Sequence, residues 1–107
     1  MLLSSPYIRC IQTLEPLAAR LHSTVIRDER LIEGADRDGA LELVATLPPG
    51  SVMCSHGDII PDVMAALERR SATITNDPDW RKGSVWVLSR QGSIVVSATV
   101  WPPPNTD

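Results

Sequence analysis

Three short apolar stretches, each closed by a polar turn and followed by a segment of helical periodicity, set the narrowest limit on how this chain folds. Leu2-Leu3 runs into Ser4-Ser5-Pro6, Thr24 to Arg27 runs into the charged segment Asp28 to Asp38, and Ser51 to Ser55 runs into His56-Gly57-Asp58. After the first stretch, Ile8, Ile11, Leu14, Ala18 and Leu21 recur at helical spacing, with Ser5 suited to the N-cap and Pro6 to the first turn. Pro16 lacks an amide proton and is expected to interrupt or kink that helix. A second helix is expected over Gly39 to Leu47, with Ala40, Leu43, Val44 and Leu47 on its apolar face and Pro48-Pro49-Gly50 as its stop. A third is expected over Ile59 to Arg70, with Pro61 tolerated in its first turn. Beyond the polar loop Ser71 to Gly83, Ser84 to Ser89 and Ser93 to Trp101 form a hairpin pattern around Arg90-Gln91-Gly92, and Pro102-Pro103-Pro104 ends the ladder. This order predicts an α/β fold: a mostly parallel sheet flanked by helices, with a C-terminal β-hairpin. Residues 1–101 are expected to form one domain and 102–107 a disordered Pro-rich tail.

Composition narrows the classes further. The 107 residues are 43% hydrophobic and 21% charged, the range of a soluble globular domain, and a net charge of -3 gives no signal for a polyanionic partner. Nucleic acid is not expected. The longest apolar runs, such as Ile94-Val95-Val96, are far short of a membrane span, so no membrane partner is expected and the reading is cytoplasmic. Phe is absent, so the core must be mainly Leu, Ile, Val and Ala. Cys10 and Cys54 have no CxxC spacing and read as small buried hydrophobes, with neither a disulfide framework nor a zinc site expected.

The chemistry lies at two of the strand-to-helix junctions. In an open parallel sheet, anions collect beyond the C-terminal ends of strands, where helix N-termini present free amides. Arg9, one turn into the first helix, can grip phosphate oxygens in a bidentate manner; taken alone, it reads rather as a solvated helix arginine. His56 follows the apolar strand and can donate to a phosphate, while Gly57 offers no side chain to block an approaching ligand. Taken alone, His56 reads as a capping or structural histidine.

Together, Ser4-Ser5-Pro6-Tyr7-Ile8-Arg9-Cys10-Ile11-Gln12-Thr13 and Cys54-Ser55-His56-Gly57-Asp58 resemble two motifs of the histidine phosphatase superfamily, the phosphoglycerate-mutase-like proteins. The resemblance covers about Leu2 to Ser97. It implies that Arg9, His56 and Gly57 bind the phosphoryl group and that His56 stabilises its charge during transfer. It also places Glu33 where many members carry a general acid, which would need burial to raise its pKa. A surface glutamate is the other reading of Glu33, and Asp28, Glu29 and Asp36 compete for the role. His22 reads as a surface or interhelix residue.

The family's nucleophile is the histidine of an Arg-His-Gly triplet at the end of its first strand, and no such triplet occurs in these residues. The resemblance therefore implies a domain truncated at its N-terminal strand, which in the family lies between the strands leading to the two motifs. The Leu2-Leu3 and Ser51 to Ser55 strands are then expected either to close up or to leave unpaired edges, with a homodimer through such an edge as one outcome. A start assigned too late, a degenerate gene and a domain completed by another chain all fit. The implied activity is hydrolysis of a phosphomonoester or phosphohistidine, in a small substrate or a phosphoprotein, through a phosphohistidine intermediate. Without the nucleophile the chain is expected to be inactive as written; the alternative is a noncatalytic phosphate-binding or interaction module. No metal or organic cofactor is implied.

Overall fold

The computed structural model describes residues 1–104. Strands β1 (Leu2–Ser4), β2 (Val25–Arg27) and β3 (Val52–Cys54) form a parallel sheet in the order β2-β1-β3. Helices α1 (Ile8–Leu21), α2 (Arg37–Thr46) and α3 (Ile59–Arg69) follow them in turn, with a 3-10 turn at Glu29–Leu31 ahead of α2. A second sheet contains β4 (Thr73–Ile74), β5 (Val85–Gln91) and β6 (Ile94–Trp101), in the order β4-β6-β5. The mixed α/β class with a parallel sheet, helices and a C-terminal hairpin is the one the sequence predicts.

β1 organises the packing because successive side chains of a strand point to opposite faces. Leu3 joins the larger core, with Leu41, Leu43, Val63, Met64 and Leu67 from α2 and α3 and Val95 and Ala98 from β6. Leu2 turns the other way and packs with Leu14 and Ala18 of α1. The register Leu2↔Val52, Leu3↔Met53, Ser4↔Cys54 pairs β1 directly with β3. Of the two outcomes expected for these strands, they have closed up, a strand order unlike the one the resemblance implies.

Several boundaries depart from expectation. The N-cap of α1 is Tyr7 rather than Ser5, and no side chain caps it. The helix runs through Pro16 to Leu21 without a break. Pro16 and Gln12 are both exposed, so the Gln12 carbonyl that loses its helical partner can be hydrated. The buried face is Cys10, Leu14 and Ala18; Ile8 and Leu21 are exposed, Ile8 because it lies two residues before Cys10 and thus on the opposite side. α2 begins two residues before Gly39, since the Asp36 carboxylate accepts the Asp38 amide and caps it. Gly39 is required there for closeness: a Cβ would sit 2.9 Å from the Arg30 side chain. β3 is half-buried rather than buried, and α3 stops at Arg69.

The loop expected over Ser71 to Gly83 includes β4, which pairs in parallel with β6. The hairpin turn is also tighter than predicted: Arg90 and Gln91 belong to β5, and the chain reverses at Gly92, whose φ of +59° favours glycine. A register shift between Ser89 and Arg90 turns the Arg90 side chain toward α2, where its guanidinium donates to Val44 O at 2.8 Å and Leu47 O at 2.6 Å. The hairpin thereby satisfies carbonyls at the C-terminal end of α2 that no helical amide reaches. Pro102 to Pro104 carry no helix or strand, and Pro103 lies beside Gly83. Residues 105–107, the rest of the expected tail, lie outside the described residues.

Candidate functional site

The parallel register places Ser4 opposite Cys54, so the segments leaving β1 and β3 emerge side by side at the same end of the sheet. The junction is tied on both flanks: Ser5 N–H donates to Cys54 O at 3.0 Å and Asp28 N–H to Ser4 O at 2.9 Å. From the β1 side come Ser5, Tyr7 and Cys10; from the β3 side comes His56. Ser5 Oγ lies 2.8 Å from His56 Nε2, Cys10 Sγ lies 3.8 Å from the same nitrogen, and the Tyr7 ring meets the imidazole edge-on at 4.9 Å between centroids. His56 is 9% exposed and Ser5 is wholly buried. The His56 carbonyl starts α3 by accepting the Ile59 and Ile60 amides.

The segments either side of His56 hold the loop that carries Glu33. Ser55 Oγ donates to Leu31 O at 2.8 Å, and Asp58 Oδ2 accepts the Gly34 amide at 2.8 Å. Glu33, between those anchors, is exposed, without the burial expected of a general acid. Gly57 is also exposed, and a Cβ there would meet no atom within 4 Å, which leaves room above the backbone beside His56. Arg9 lies between two residues that touch His56, is exposed, and makes no ion pair among the described residues.

Cys10 is buried and Cys54 half-buried, both as free thiols. Burial pushes the Cys54 thiol up to about 12, with the Cys10 neighbour adding to the effect and a hydrogen bond with Thr13 opposing it. Cys54 is therefore a neutral thiol and a poor nucleophile at neutral pH. His22 caps the C-terminal end of α1 in a left-handed conformation, φ 51°. At 1.5 Å of rise per residue it stands roughly 20 Å along the axis from the end of α1 that meets His56. Among the described residues no cluster of three His, Cys, Asp or Glu could hold a metal ion, and no helix is long and apolar enough to cross a membrane.

Sequence reasoning assigned Ser5 to a helix cap and gave Tyr7, Cys10, Ser55 and Asp58 no role at the site. All five fall inside the two motifs, and that proximity was the available signal. Two grooves of about 270 Å³ each lie elsewhere, one beside Trp80 and Met64, the other between α2 and β6; neither is lined by Arg9, Glu33 or His56.

No family model matches the sequence. A protein named 8-oxo-(d)GTP phosphatase from Mycolicibacterium smegmatis (strain ATCC 700084 / mc(2)155) is 34% identical over 104 residues, covering 92% of this chain. The chain spans 32% of the length of that relative.

Proposed function

We propose that this chain is the phosphoryl-recognition part of a phosphatase-like hydrolase of the histidine phosphatase type. The observation that carries the reading is the buried contact between Ser5 and His56, which joins the two motifs at one point beyond the ends of β1 and β3. His56 and Arg9 would bind the phosphoryl oxygens, and the open space over Gly57 would admit them. The name of the mycobacterial relative supports phosphoryl hydrolysis as the class of chemistry. On this reading the substrate is a phosphomonoester or a phosphohistidine, and Glu33 would protonate the leaving group once a bound substrate covered it.

Turnover through a phosphohistidine needs a second histidine within reach of the phosphoryl group. His22 is about 20 Å along α1 from the site, so the nucleophile would come from outside these residues. The direct pairing of β1 with β3 favours the second reading, a noncatalytic phosphate binder. A strand inserted between them would part them by a further ~4.8 Å and break the Ser5 to Cys54 bond.

Titration of the 15N-labelled chain with inorganic phosphate, alongside an aryl phosphate hydrolysis assay, tests both. We expect saturable phosphate binding at His56 and Gly57, weakened at least tenfold by Arg9→Ala and by His56→Ala, with no hydrolysis by these residues alone. Hydrolysis by the unmodified chain would place the nucleophile within these residues and overturn this assignment. Absence of phosphate binding would remove the anion site altogether.

A further inference from the structure

We propose that Ser5 is a positioning residue that fixes the tautomer of His56, so that the proton sits on Nδ1, the nitrogen left open to an anion. Donors and acceptors around Ser5 leave one consistent arrangement. Ser5 Oγ is wholly buried and accepts the Tyr7 amide over a long 3.4 Å. An amide can only donate, so the hydroxyl proton needs an acceptor of its own, and His56 Nε2 stands 2.8 Å away. The reverse arrangement, with Nε2–H donating to Ser5, leaves a buried hydroxyl proton unpaired, a costly state in the interior. Cys10 does not compete for Nε2, because its thiol can donate to Ser55 O, also at 3.8 Å.

With Nε2 accepting, the neutral ring carries its proton on Nδ1. Only one buried side-chain nitrogen or oxygen among the described residues lacks a partner, Trp86 Nε1. Among the described residues Nδ1 has no partner either, yet it is not one of those buried atoms, so solvent reaches it. An unprotonated phosphate oxygen can only accept, so it pairs with Nδ1–H and is repelled by a bare Nδ1 lone pair. Ser5 therefore converts a histidine that could face an anion with either a donor or a lone pair into one that presents a donor. The Tyr7 ring, edge-on at 4.9 Å, limits the ring's freedom to flip.

The inference rests on the phosphate-binding reading for its purpose but not for its test. Long-range 1H–15N correlation spectra of the imidazoles report the tautomer directly, and the chain has two histidines, distinguished by His22→Asn, which tolerates the left-handed cap. We expect the Nδ1–H form of His56 in the unmodified protein and in Ser5→Thr. Ser5→Ala should give mixed or Nε2–H populations and bind inorganic phosphate roughly three- to tenfold more weakly. The Nε2–H form in the unmodified protein, which needs no variant to fold, overturns the proposal, as does an unchanged tautomer in folded Ser5→Ala. An Nδ1–H ring that binds no phosphate sinks the phosphate reading while upholding the role of Ser5.

Discussion

The parallel sheet at the site consists of three strands of 3 residues each, whereas the hairpin pairs strands of 7 and 8 residues over seven registered positions. The first sheet buries polar groups at its end, Ser4, Ser5 and His56, and its α1 face rests on Leu2, Leu14 and Ala18. The second sheet shares the larger core with α2 and α3. The candidate site thus lies at the sheet whose strands are shorter than those of the hairpin. It is held there by short bonds between loops, Ser5 to Cys54, Ser55 to Leu31 and Asp58 to Gly34, rather than by long ladders. β1 and β3 each send side chains to both clusters, Leu3 and Met53 to the larger and Leu2, Val52 and Cys54 to the smaller, so the two halves are expected to stand or fall together.

Leu43→Ala is the strongest way to break that comparison. Leu43 is 2% exposed in the larger core, and truncation should cost about 2–5 kcal/mol. Urea unfolding followed by tryptophan fluorescence reports the region from Trp80 to Trp101, while the His56 resonances report the site. Coincident transitions, both moved to lower urea, are expected; a site that melts at an unchanged midpoint would show the halves to be independent. Leu14→Ala, in the smaller cluster, should cost less because that region has fewer buried neighbours to leave unsupported.

Arg90→Ala comes next. It removes two charge-assisted bonds to Val44 O and Leu47 O, the direct polar link from the hairpin to α2. A loss of roughly 1.5–3 kcal/mol is expected, with the amides at the end of α2 exchanging faster than those of α1. Equal loss of protection in α1 would mean that the link serves the whole molecule rather than its hairpin half.

What the sequence made legible follows from the range of the forces involved. The strand, helix and turn order could be read because Ser-Ser-Pro, Pro-Pro-Gly and His-Gly-Asp act on their immediate neighbours. β4 could not, since two residues carry no periodicity and Thr73-Ile74 becomes a strand only by pairing with Ser97 and Ala98. Arg90 looked like a turn residue because nothing local foretells that a register shift aims it at α2. The motif pointed to the strand end where His56 and Gly57 lie, but not to the contact that Ser5 makes there. A serine before a proline reads as a cap until the fold sets an imidazole nitrogen 2.8 Å from it. The apolar face of α1 was misjudged at Ile8, where hydrophobicity alone does not say which side meets the sheet.

Pro16→Ala should act in the opposite direction and more weakly. It returns an amide proton to the Gln12 carbonyl in the middle of α1. A proline in a helix interior costs up to about 3 kcal/mol, offset in part by its stiffening of the unfolded chain, worth roughly 0.4–1 kcal/mol. A net gain of about 1 kcal/mol is expected, and it should appear in the thermal midpoint without altering phosphate binding. A change in binding would mean that the proline sets the direction of the Arg9 turn.

The smallest effect contrasts two acidic residues, one in each half. At the end of β2, the Arg30 side chain hydrogen-bonds to Asp28 and holds its carboxyl below the ordinary 3.8, outweighing the upward push of burial. In the hairpin half, the Arg81 side chain does the same for the half-buried Asp79, bringing it to about 2. Each folded-state value lies below the unfolded one, so each contribution is fully present above the unfolded value and is lost as pH falls through the folded value. Asp28→Asn and Asp79→Asn should therefore lie below the unmodified chain at neutral pH and converge on it in acid, Asp79→Asn only toward about pH 2. Added salt should reduce the Asp79 difference first, because the Arg81 side chain is 71% exposed against 44% for Arg30, whereas the two carboxylates are equally covered and each accepts its arginine's amide. Equal salt sensitivity at the two positions would mean that the partial cover on Arg30 shelters its pair no better than the exposed Arg81 shelters Asp79, and that the loop from β2 toward Glu33 is held by the Ser55 and Asp58 bonds alone.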